Sequence, residues 1–222
     1  MTEQKRAYSK KRRAALEAQT RLRITESTVE LHRTLGPSRT SISAVAEHAG
    51  VRRSTVYRHF RDEAALFAAC TAHWTASNPL PDLAGWATIE SPDERLGCAL
   101  EELYTYYRRT QQMMENLHRD EATMPIVKEL FGGFRDYLAA ARETLTNGRQ
   151  TPRRTDQALR AVIGHALAFS TWRSLTQEQG LDDEKAANLM CRLVSAAAPS
   201  TRHRQRRQRQ ERSPTPAGGA KR

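Results

Sequence analysis

The chain has 222 residues, a formal net charge of +11 and only 38% hydrophobic side chains; at about 150 residues per domain this length suits one or two domains with a real core. Residues 1–23 carry eight basic and two acidic side chains, residues 199–222 carry eight basic and one acidic, and the stretch between them carries 20 basic and 22 acidic. A near-neutral body with two cationic ends suits a polyanionic partner better than a small cationic substrate.

Residues 1–11 form a basic arm, expected to be flexible. The following stretch is broken by Glu17, Arg21 and Arg23, so it supplies no apolar segment of a secretory signal. From Ser41 to Phe60 the sequence reads SISAVAEHAGVRRSTVYRHF. Two helices that cross sharply need a small residue at the crossing, which Ala46 supplies. The turn between them needs a residue that tolerates positive φ, which Gly50 supplies. Ile42, Val45, Val51 and Val56 form the buried side. The second of these helices, about Arg53 to Phe60, keeps a polar and cationic surface of Arg52, Arg53, Ser54, Thr55, Tyr57, Arg58 and His59. Such a surface suits a major groove, where arginine forks read guanine edges and hydroxyls meet phosphate or bases.

The next helix is expected to start after Arg61 and stop before Pro79. Within it lies the longest unbroken apolar run, the seven residues Ala64–Cys70, far short of the ~20 needed to span a bilayer. Ser91-Pro92-Asp93-Glu94 is a helix start with a capping serine, an early proline and acids at the positive dipole end. A long helix follows through Leu96, Leu100, Leu103, Tyr107, Met114 and Leu117. A segment from about Pro125 to Thr146 is expected to kink or make a close contact at Gly132-Gly133 and to stop at Asn147-Gly148. Thr155–Glu178 reads as one helix ended by Gly180. Asp182–Ala198 is the last, with a stripe of Ala186, Leu189, Met190, Leu193, Val194 and Ala197. Beyond it, residues 199–222 have the composition of a disordered basic tail.

Residues Arg23 to Cys70 resemble the DNA-binding domain of the tetracycline-repressor (TetR) family of transcriptional regulators. The resemblance is carried by Ile24, Val29–Leu31 and Gly36, by Thr40-Ser41, by Ala46-Glu47-x-Ala49-Gly50-Val51, and most specifically by Thr55-Val56-Tyr57-Arg58-His59-Phe60. Asp62 to Leu66-Phe67 then opens the linking helix. It implies an all-α fold: a three-helix helix-turn-helix domain at 12–62, then a helical ligand-binding and dimerisation domain at 63–198. It also implies a homodimer joined by the last two helices, double-stranded DNA as partner, and a small-molecule effector that releases a repressor from a palindromic operator. Thr40, Tyr57 and His59 match positions that contact phosphate in the family; Arg53, Thr55 and Arg58 match base-contacting positions. Ser41, Arg52 and Ser54 complete the candidate surface. One position departs from the family: Glu63 stands where a phosphate-binding lysine is usual, and Arg61 is the nearby replacement. Lys10, Lys11, Arg12 and Arg13 are placed to reach the DNA from the arm.

Aromatic and sulfur side chains mark candidate pocket residues: Leu103, Tyr107, Met114, His118, Phe134, Phe169 and Trp172, with Tyr104, Tyr106 and Met113 beside them. Cys70, Cys98 and Cys191 form no CxxC pair, which fits a reducing cytoplasm. With no phosphate-binding glycine loop, nucleophile elbow or HExxH, an enzyme, a metal site and a cofactor are not expected. The rival reading is an architectural DNA-coating protein whose basic tails dominate and which answers to no effector.

Overall fold

The computed structural model describes residues 3–149 and 153–197, and among them every regular element is helical. The basic tail at 199–222 lies outside the described residues. The first helix, α1 (Glu3–Thr34), is 32 residues long, so most of the expected flexible arm continues the helix. Behind it come α2 (Ile42–His48), α3 (Arg53–His59), α4 (Glu63–Ser77), α5 (Leu83–Ala87) and α6 (Pro92–Glu121). Then follow α7 (Pro125–Leu130), α8 (Gly132–Thr146), α9 (Arg153–Leu167), α10 (Phe169–Arg173), a π-helical turn at Ser174–Glu178, and α11 (Asp183–Ala197). No described helix is long and apolar enough to cross a membrane.

Two compact units share the chain. The first comprises residues up to Asp82 with Glu102–Leu138, and the second Leu83–Glu101 with the residues from Ala139 on. The first unit is larger than the 12–62 segment because α4 and the second half of α6 pack with α1. Its head core consists of Ile24, Ile42, Val45, Ala46, Ala49, Val56, Phe60 and Leu66, drawn from α1 to α4 and their turns. Each large side chain in that set contributes about 1.5–3 kcal/mol by leaving water. Ala46 is 4% exposed at the crossing, and Gly50 takes φ +63°. There the amide of Val51 donates to the Ala46 carbonyl at 2.9 Å and that of Gly50 to Glu47 at 3.0 Å, the paired bonds that close a helix on a left-handed residue. Ser41 caps α2, its hydroxyl accepting from the Ala44 amide at 3.1 Å. Asp62 caps α4 through the Ala65 amide at 2.7 Å.

In the second unit, Leu159, Ile163 and Ala166 of α9 and Ala186, Met190 and Val194 of α11 are all buried, and α9 and α11 pack on each other. The expected single helix over Thr155–Glu178 is broken. Ala168 has extended backbone, φ −72° and ψ 135°, and starts the short α10. Tertiary anchors hold the break. The fully buried Trp172 donates its indole N–H to Asp183 at 2.9 Å, and the Thr176 hydroxyl returns to the Trp172 carbonyl at 2.9 Å. The Pro125–Thr146 segment also divides, at Phe131, immediately before the Gly132-Gly133 pair.

Arg95, 7% exposed, organises this unit from its edge. Its guanidinium donates to the carbonyls of Ile89 (2.9 and 2.6 Å), Thr144 (3.1 Å) and Asn147 (2.9 Å), so one cation satisfies both the loop before α6 and the C-terminal end of α8. Arg95→Met keeps the apolar stem and strands those carbonyls. It is expected to cost about 2–4 kcal/mol in urea unfolding, whereas Arg160→Met at the surface should cost under about 1 kcal/mol.

Candidate nucleic-acid interface and cavity

An exposed cationic surface is built on α3. Val56 is fully buried beneath it, which leaves Arg52, Arg53, Ser54, Tyr57 and Arg58 exposed and Thr55 half-buried. Arg53 donates to the Tyr57 hydroxyl at 3.2 Å, and its guanidinium lies 5.6 Å from that ring's centre. Thr40 uses its hydroxyl within the turn, donating to the Gly36 carbonyl at 2.8 Å. His59 is half-buried. Burial first, then the Arg58 and Arg21 cations, lower its pKa, so its ring is neutral at pH 7.

Arg61 is exposed and pairs with Asp62 at 2.9 Å. Glu63 is exposed in the first turn of α4. The one cation here therefore sits beside two acids. Lys10, Lys11, Arg12 and Arg13 are all exposed on α1. Because consecutive helical residues point about 100° apart, only Lys10 and Arg13 share a face, and a helical arm cannot turn all four toward one groove.

Sequence reasoning missed Arg21. Its guanidinium donates to the carbonyl of His59 and stacks over Phe60, 4.0 Å from the ring centre, placing a cation at the negative end of α3. The signal was available: Arg21 lies one turn before the core residue Ile24, on the same face of α1.

At its other end α1 is clamped by α6. Asn116 donates its amide to the carbonyls of His32 (3.1 Å) and Arg33 (2.7 Å), and Arg119 donates to that of Leu35 at 3.0 Å. Asp120, 2% exposed, accepts from the Ser38 amide at 2.9 Å and pairs with Arg119 at 2.8 Å. Burial raises its pKa, but Arg119 and Ser38 outweigh burial and hold the carboxyl below the ordinary range. Gly36, at φ +92°, lies where a Cβ would run into Arg119 and Asp120, so only glycine fits this turn.

Next to the clamp, within the same unit, is a cavity of about 270 Å³. From α4 it is lined by Phe67, Cys70, Thr71 and Trp74, and from α6 by Tyr106, Met113, Met114 and Leu117. Val127 and Leu130 of α7, with Phe131 and Phe134, close another side, and His32 and Pro37 bring the head itself to the wall. Of the expected pocket residues, Tyr106, Met113, Met114 and Phe134 line this cavity, and Tyr104 does not. Leu103 and Tyr107 are fully buried outside its lining. His118 is exposed, bonded to the Met114 carbonyl at 2.8 Å and edge-on to Phe131 at 4.9 Å. Phe169 and Trp172 are core residues of the other unit.

Residues 24–70 match the family model described as bacterial regulatory proteins, tetR family. The matched segment, similar to that family, takes in the end of α1, all of α2 and α3, and the first half of α4. Among curated proteins none matches the chain. The whole fold resembles solved regulators. A TetR-like transcriptional regulator from Rhodococcus sp. RHA1 is 17% identical, with a TM-score of 0.58 over 79% of this chain and 93% of that one. Another transcriptional regulator from the same organism is 20% identical, with a TM-score of 0.53 over 82% and 98%. A TetR transcription regulator from Haloarcula marismortui is 14% identical, with a TM-score of 0.50 over 82% and 97%. At these identities the likeness is one of fold. The cationic helix α3 lies inside the segment that matches the tetR-family model.

The pKa of His32, 4% exposed, is lowered to about 4 by burial, which outweighs the opposing pull of the Asp120 charge. A folded-state value below the unfolded one means stability is complete above about pH 6.5 and is lost as the pH falls toward 4. The loss attributable to His32 is up to ~3 kcal/mol across that window. Urea midpoints from pH 7 to pH 4.5 should therefore fall more steeply in the wild type than in His32→Phe.

Proposed function

We propose that this chain is a homodimeric, effector-responsive repressor that blocks a promoter by binding a palindromic operator in the cytoplasm, and that it is not an enzyme. The observation that carries the reading is α3, a short helix held from behind by Val56 that offers Arg52, Arg53, Ser54, Tyr57 and Arg58 outward. Arg53, Thr55 and Arg58 read bases. Ser41, Tyr57 and His59 serve the phosphates, with Arg61 in the role of the missing lysine and Lys10 with Arg13, which share one face of the helical arm, adding contacts that do not depend on sequence. Residues 12–62 form the reading head, and 63–198 regulate and dimerise.

Dimerisation through α9 and α11 is supported by the stripe on α11. Ala186, Met190 and Val194 face the fold, while Leu193 is 48% exposed and Leu189 half-buried on the adjoining face. Two copies joined there would carry two heads for half-sites about 34–36 Å apart or a multiple of that. The effector acts by binding one head spacing better than the other, since it can shift the equilibrium only by that difference in affinity.

Three measurements test this reading. A footprint should protect one short palindrome upstream of a gene, whereas uniform protection of any duplex at low salt would make the protein an architectural one. Arg53→Ala should cost about 1–3 kcal/mol and relax specificity at one position, whereas an equal loss on random DNA would reduce it to a phosphate contact. Leu193→Glu should convert a dimer to a folded monomer by light scattering and weaken palindrome binding far more than half-site binding.

A further inference from the structure

The effector reading leaves the chemistry of the ligand open, and the cavity wall constrains it. None of the lining residues is Asp, Glu, Lys or Arg, so an ion entering it would lose its water and gain no counter-charge. The volume of about 270 Å³ lies at the small end of the range for ligand pockets, about 300–1,000 Å³. Five aromatic rings and two methionines stand among aliphatic side chains in the wall, which suits a flat or flexible apolar body.

The few polar groups are mostly engaged. Thr75 donates its hydroxyl to the Thr71 and Ala72 carbonyls at 3.0 and 3.1 Å. The Cys70 sulfur lies 3.5 Å from His32 Nδ1, and burial pushes its pKa up to about 12, so it is a neutral thiol. The other nitrogen of that ring, Nε2, is buried and has no hydrogen-bond partner in the structure. A buried polar atom left in this state is costly. His32 is thus a buried lining residue with hydrogen-bonding capacity to spare, and it lies on α1, which also contributes Ile24 to the core beneath α3.

We propose that the cavity binds a small, uncharged, mainly apolar molecule carrying one hydroxyl or carbonyl oxygen, which pairs with His32 Nε2. The inference rests on the effector reading for its biological sense but not for its chemistry. It goes further in one respect: the ligand touches the head directly. His32 contributes its backbone carbonyl to the Asn116 clamp and lies four residues before Gly36, so a ligand drawn against its ring acts on the helix that Arg21 ties to α3.

The test uses the full chain and three probes of matched size: 1-phenylethanol, propylbenzene and benzoate. Calorimetric titration should show 1-phenylethanol and propylbenzene binding, with benzoate at least tenfold weaker than the alcohol. His32→Phe should weaken 1-phenylethanol about tenfold, roughly the value of one neutral hydrogen bond, and leave propylbenzene within about twofold. His32→Gln, which keeps a donor and an acceptor, should retain most of the alcohol's affinity. Retained propylbenzene binding shows that a variant is folded; should neither variant fold, the wild-type ranking of alcohol over benzoate still decides. Equal losses for alcohol and hydrocarbon, no loss for either, or benzoate binding more tightly than the alcohol would overturn the assignment. Operator affinity measured with saturating 1-phenylethanol separates the two readings. His32-dependent binding without any change at the operator upholds the ligand class and removes the effector role. No binding of any probe by a chain that still footprints its palindrome removes the ligand class alone.

Discussion

The recognition helix α3 has seven residues, too few to hold a helical shape in water. It is a helix because Val56 and the following Phe60 are buried against Ile24, Val45, Ala46 and Leu66. That apolar contact is the condition for everything the head does. Without it the arginines of α3 would sample many directions, and ordering them on DNA would cost conformational entropy at each encounter. With it, Arg53 and Arg58 start from a rigid backbone, and Arg21 closes the far end of the helix with a cation set against the dipole.

The same helix α1 that completes this core also runs to the cavity. Its Ile24 is in the head core, its His32 is at the cavity wall, and its last carbonyls are held by Asn116 and Arg119. A change of packing at Met113 or Met114 on α6 therefore has a short route to the turn before α2, through side chains one helical turn away. The clamp is stiff because Asp120 is buried and satisfied by Arg119 and Ser38, and because Gly36 leaves no room for another residue. A buried, fully bonded polar group tolerates few alternative arrangements, which favours two discrete states over gradual bending.

Charge is distributed differently from recognition. Of the +11, residues 1–23 account for +6 and residues 199–222 for +7, while the surface of α3 offers three arginines, Arg52, Arg53 and Arg58. Long-range attraction and salt sensitivity scale with the number of phosphates neutralised, about 0.9 in the logarithmic slope for each. Base reading depends instead on a few forks held in place. The helical form of residues 3–11 changes how the first basic cluster can act: it presents a fixed subset of its cations rather than wrapping a groove.

The order of the helices, the helix-turn-helix and its glycine were legible from residue types alone, because Gly50, Ala46 and the caps Ser41 and Asp62 act through local backbone geometry. The reading surface was legible for the same reason: Val56 points one way at helical spacing, so Arg53, Tyr57 and Arg58 must point the other. The break at Ala168 was not, since nothing local stops that helix. It depends on Trp172 reaching Asp183 across the fold. The cavity was only half legible. Met114 and Phe134 belong to it, while Leu103, Tyr107, Phe169 and Trp172 have the same chemistry and are core. Apolar side chains look alike in sequence whether they line a space or fill one. Sequence by itself determined most of the helical segments and the exposed face of α3, because both follow from short-range periodicity. Only the tertiary structure decided that His32, distant from every other cavity residue in the chain except Pro37, shares that wall with α4 and α6, because proximity between residues as far apart as His32 and Phe67 depends on packing rather than on local preference.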